Sequence, residues 1–167
     1  MSGRPEVLFP LFSKITSLPG VGPKIAASLE SFKVTRPRDL VFTLPYDIID
    51  RRIVETVEGI LEPTTLTVEV QIIKHLPAQI RRKPYRVIVK DSQTVINLIF
   101  FHARGDYLNQ LLPVGETRLI SGKIEFFDGL AQMAHPDYVL PIEQKKQLPS
   151  FEPVYPLTAG VTSKVMA

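Results

Sequence analysis

Cysteine is missing from this 167-residue chain. That excludes disulfides, thiol chemistry and nearly all structural zinc designs. Also missing is any run near the roughly 20 apolar residues that a membrane helix needs. The opening MSGRPEVLFPLFSK is too short in its apolar segment, and too broken by proline, to act as a signal peptide. An intracellular, cytoplasmic protein with no membrane partner is the expectation.

Recognisable catalytic spacing is absent as well. A phosphate-binding loop needs G-x-x-x-x-G-K-[ST]. The nearest approach is Gly122-Lys123, where Thr117 replaces the first glycine and Ile124 replaces the magnesium-binding hydroxyl. The segment is therefore expected not to hydrolyse nucleotides. His75, His102 and His135 are dispersed, with no i,i+4 pair. They are expected to be solvated or hydrogen-bonded rather than metal ligands. One local absence points to a partner instead. Residues 70–90 contain no acid but six cations: Lys74, Arg81, Arg82, Lys83, Arg86 and Lys90.

What remains is an ordinary globular composition, 44% apolar and 22% charged with a net charge of +3, long enough for one sizeable domain or one domain plus a small appendage. The period of the apolar residues changes along the chain. Over residues 11–46 it is helical and punctuated by proline. PKIAASLESF places Ile25, Leu29 and Phe32 on one stripe, with Pro23 suited to a first turn. RPRDLVFTLP reads as a second short helix stopped by Pro45. From about residue 52 the period becomes two. Val68, Val70 and Ile72 alternate with Thr67, Glu69 and Gln71, and Tyr85, Val87 and Val89 with Arg86, Ile88 and Lys90. VINLIFFH follows, then a short helix at RGDYLNQLL and a hairpin turning at Asp128-Gly129. RIVETVEGIL adds a strand or leads into the first.

Three strands, a helix and a hairpin make the order of an OB-fold, a five-stranded barrel. The expected fold is mainly β: this barrel preceded by a short helical region. The expected division is residues 1–50 helical, with a turn like that of a helix-hairpin-helix, 51–147 barrel, and 148–167 a proline-containing linker.

Three features can meet nucleic acid. In LPGVGPK, Gly20 and Gly22 can let a phosphate approach the backbone, where Lys24 and the start of a helix would hold it. They can equally make a tight turn with no ligand. The basic segment around Arg81, Arg82, Lys83 and Arg86 falls between the first two barrel strands, beside the face that binds oligonucleotides in OB-folds. It reads either as a phosphate track or as a solvated loop. In VINLIFFHARGDYL, alternation puts Ile96, Leu98 and Phe100 on an all-apolar face. Phe101 shares the opposite face with Asn97, near Arg104 and Tyr107. Phe101 can stack on a base or pack against the short helix as a rim residue. Phe126 is expected in the core with Ile120 and Ile124; Phe127 fits either side.

The stretches ITSLPGVGPKIAASL, DLVFTLPYDIIDRR, FFHARGDYL, GKIEFFDGLAQMAHPDY and PVYPLT together resemble the RecG family of bacterial ATP-dependent DNA helicases. The resemblance implies the N-terminal wedge domain, which splits the arms of branched DNA while a motor, with its own ATP and magnesium, pulls the duplex. It implies a monomer located with the bacterial nucleoid, acting on stalled forks in recombination and repair. The family's stacking phenylalanine is similar in place to Phe101. Its second stacking aromatic is similar in place to Tyr107, across a spacing longer than the family's usual one. A second class of function stays open: a barrel that docks on the motor domain of the same chain or on a single-strand DNA-binding protein.

Overall fold

A computed structural model describes residues 5–78 and 83–155. The described residues fall into two compact units, one within Asp50–Glu152 and the other within Met1–Ile49 and Pro153–Ala167.

The first unit is the expected barrel. Its strands are β2 (Ile53–Val54), β3 (Thr64–Leu76), β4 (Tyr85–Lys90), β5 (Val95–Phe100), β6 (Thr117–Phe127), β7 (Leu130–Ala134) and β8 (Tyr138–Pro141). They lie in the order β2-β3-β4-β5-β7-β6-β8, and an additional β3–β6 pairing closes β3, β4, β5, β7 and β6 into a five-stranded ring. Only β5 and β7 run parallel within the ring. Helix α3 (Gly105–Leu111) joins β5 to β6 and sets Leu108 in the core. The β6–β7 hairpin pairs Phe127 with Leu130 across Asp128 and Gly129, both at positive φ, as a two-residue turn requires.

Alternation predicts the inside of the barrel well. Val68, Val70, Ile72, Tyr85, Val87, Val89, Ile96, Leu98, Phe100, Ile120, Ile124 and Met133 form one cluster. Each large side chain buried this way contributes about 1.5–3 kcal/mol. Phe126 packs against this core half-buried, and Phe127 stands exposed. RIVETVEGIL yields only the two residues of β2, parallel to β3. The chain then turns at Val57, whose N–H donates to the Asp91 carboxylate at 2.7 Å.

β8 and β9 (Phe151–Val154) lie where the alternation gives no strand. β8 pairs antiparallel with β6. β9 pairs with β1 (Asp47–Asp50) in a separate two-stranded sheet, within the stretch expected to run on as linker. Buried Arg51 supports this end of the barrel. It meets Asp137 at 3.0 Å and Glu152 at 2.5 Å, donates to Ser121 Oγ at 2.9 Å, and lies 5.0 Å from the Tyr138 ring centre.

The second unit contains α1 (Pro23–Glu30) and α2 (Pro37–Val41), preceded by 3-10 turns at Glu6–Phe12 and Ile15–Ser17. Its small apolar cluster is Ile15, Leu29 and Val34, with Ile25 and Phe32 packed against them. Among the described residues, no helix is long and apolar enough to cross a membrane.

Candidate nucleic-acid interface

The end of β5 separates two adjacent phenylalanines. Phe100 is 7% exposed and belongs to the core, whereas Phe101 is 50% exposed. The period-two backbone does this, and the chain leaves the strand immediately afterwards at His102, which has φ 59°. Arg104 then stands exposed as the N-cap of α3, and Tyr107 is 60% exposed in its first turn. Phe101, Arg104 and Tyr107 share one open cleft with His102 and His135. The cleft offers two flat rings and a guanidinium, and the acid in its lining, Asp137, is paired with Arg51; such a set suits an unstacked base next to a phosphate.

His135 is the member that the sequence does not reveal. Its ring lies 5.6 Å from that of Phe101 at an interplanar angle of 30°, and its Nε2 accepts the Phe101 N–H at 3.0 Å. Of the other histidines, His75 bridges the Tyr85 hydroxyl at 3.0 Å and the Leu112 carbonyl at 2.7 Å.

From Phe101 the face opposite the core continues along β5 through buried Ile99, half-buried Asn97 and exposed Val95. On β4 these are paired with Arg86, Ile88 and Lys90 respectively. On β7, Asn97 and Ile99 pair with Gln132 and Ala134, and Lys74 of β3 pairs with Ile88. Cations therefore edge a strip whose middle carries two amides, Asn97 and Gln132. Lys83 is exposed beside the start of β4 and shares a second cleft with Leu76 and Arg86. Arg81 and Arg82 lie outside the described residues.

Gly20, Gly22 and Lys24 belong to the other unit. Gly20 has φ 82°, which favours glycine. Gly22 has φ −81° as the N-cap of α1, and a Cβ there would meet nothing within 4 Å. The turn itself therefore does not demand glycine at position 22. Lys24 is exposed.

Gly122 and Lys123 sit inside β6, and a Cβ on Gly122 would come 3.0 Å from Met133 Sδ. This glycine permits close packing within the barrel. Among the described residues, no cluster of acids and histidines could hold a metal ion.

The RecG wedge domain family matches residues 14–167. This chain belongs to that family. A RecG ATP-dependent DNA helicase of Acidithiobacillus ferridurans is 26% identical over 154 residues, covering 91% of this chain and 22% of its own length. The chain thus spans about a fifth of that relative. A solved RecG structure, bound to a three-way DNA junction, aligns over 92% of this chain and 21% of its own, with a TM-score of 0.71 and 23% identity. The RecG wedge fold, an OB-like barrel with few helices, is common to both.

Proposed function

We propose that this RecG wedge domain splits strands at the branch point of forked or three-way DNA, as part of an ATP-dependent helicase working on stalled forks in recombination and repair. One observation carries the proposal: a half-exposed Phe101 held at the rim of a rigid barrel, beside Tyr107 and Arg104. When a motor draws duplex toward such a rim, the terminal base pair loses its stacking neighbour. An aromatic ring in the right place replaces that neighbour and is worth about 1–3 kcal/mol per base. Phe101 takes the first exposed base and Tyr107 the second. Arg104 neutralises the phosphate between them.

The separated strand then follows Arg86, Lys90 and Lys74 across the outward sheet face, with Arg81, Arg82 and Lys83 extending the cationic edge. Gly20 and Gly22 let a phosphate near the start of α1, beside Lys24. ATP and magnesium belong to a motor elsewhere in the full protein, which works as a monomer in the bacterial cytoplasm, at the nucleoid. Residues 1–50 and 51–147 act as separate functional parts, with 148–167 leading toward the motor.

A second reading has one observation in its favour. Phe42, Leu44, Tyr46 and Ile48 are all exposed along one stretch of the N-terminal unit, a surface suited to docking on the motor or on a single-strand DNA-binding protein.

The test is binding to a fork and to linear duplex at two salt concentrations. Replacing Arg81, Arg82 and Lys83 together should weaken all DNA shapes alike and flatten the salt dependence, since fewer counterions are released. Unchanged affinity and slope in a folded variant would make that segment a solvated loop.

A further inference from the structure

We infer that His135 is a positioning residue that holds the Phe101 ring ready for a base; this rests on the stacking role proposed for Phe101. The pairing of β5 with β7 ends at Ile99 and Ala134. One residue on, the His135 N–H donates back to the Ile99 carbonyl at 2.9 Å, which anchors the histidine to the strand it serves. Its backbone takes φ 47°, a left-handed geometry that histidine adopts more readily than most residues.

The imidazole then makes three contacts. It lies edge-to-face with buried Phe100, 5.9 Å between ring centres. It stacks on exposed Phe101, and its Nε2 accepts the Phe101 N–H. An Nε2 that accepts places the ring hydrogen on Nδ1.

The consequence is preorganisation. The Phe101 N–H lies beyond the last paired residues of β5, and the imidazole fixes it. One face of the Phe101 ring is covered by the imidazole, so a base takes the other. A ring already immobilised spares the ordering cost that a free side chain would incur on binding.

The test uses His135→Ala, His135→Gln and His135→Asn, alone and with Phe101→Ala. Glutamine places an amide oxygen near the position of Nε2. Asparagine suits the left-handed backbone but is too short to reach. Unchanged thermal unfolding would show that each variant keeps its fold. In free protein, the Phe101 amide should exchange its hydrogen at least about tenfold faster in the Ala and Asn variants, with protection regained in the Gln variant. Fork affinity should fall about 3- to 10-fold in the Ala variant, with partial recovery in the Gln variant. Adding His135→Ala to Phe101→Ala should cost nothing further.

An amide exchange rate indifferent to all three substitutions would overturn the inference, whatever the DNA results. So would an additive double variant, because His135 would then be touching DNA itself. If Phe101→Ala alone leaves fork binding intact, the stacking role of Phe101 fails instead, and amide exchange still decides whether His135 holds it.

Discussion

The two units use similar apolar material in opposite ways. The barrel within Asp50–Glu152 closes on itself, and its core runs unbroken from Val57 to Met133. The N-terminal unit buries Ile15, Leu29 and Val34, yet leaves Phe42 81% and Leu44 80% exposed. A closed sheet can satisfy its own hydrogen bonds and cover its own apolar face. Short helices of eight and five residues cannot form without packing partners. The difference bears on the proposed mechanism: a stacking aromatic needs the closed barrel behind it to hold its position under load, whereas the docking reading needs the exposed apolar groups of the thinly packed unit to meet a partner.

The largest expected effect breaks the rigid side of this comparison. Phe100→Ala should leave a cavity in the barrel and cost about 3–5 kcal/mol, read as a lowered midpoint in denaturant unfolding. Leu29→Ala should cost less, about 2–3 kcal/mol, because a small cluster can collapse around the gap. Its loss should also be local: hydrogen exchange should quicken over α1 and the residues around Val34 while β3–β6 protection holds. Equal loss of protection in both units would mean that they fold as one.

A smaller effect appears in the barrel's response to pH. Asp91 is buried. Burial pushes its carboxyl up, but donation from the N–H groups of Thr94, Val57 and Gln93 and from the Thr56 hydroxyl outweighs this, and the net direction is downward. A carboxyl lowered in the folded state adds stability that is fully present above its unfolded value of about 3.9 and is lost as pH falls through the folded value. Barrel stability should therefore decline below about pH 4, and Asp91→Asn should flatten that decline. An acid profile identical in the Asn variant would show that other carboxylates control it.

Much of the barrel was legible because its strands alternate. Ile96, Leu98 and Phe100 face inward as their spacing requires, and the same rule exposes Phe101. The Asp128-Gly129 turn was equally plain. β8 and β9 were not, because Pro136, Pro141, Pro149 and Pro153 interrupt their local pattern. β8 exists through its ladder to β6, in which Pro141 lies opposite Arg118. In the candidate site, the placement of Phe101, Arg104 and Tyr107 followed from local sequence. His135 did not, since it meets Phe101 only through the parallel pairing of β5 and β7, 34 residues apart in the chain. Arg51 was hidden for the same reason: its partners Ser121, Asp137 and Glu152 are all distant in sequence.

The most direct test of the wedge is Phe101→Ala, measured beside Phe100→Ala for affinity to a fork and to a plain duplex. Phe101→Ala should leave the unfolding midpoint nearly unchanged and weaken fork binding by about 1–3 kcal/mol, with little effect on duplex, because only the fork presents an unstacked base. A Phe101→Ala variant that unfolds, or that binds fork as well as the parent does, would contradict a stacking ring at the barrel rim.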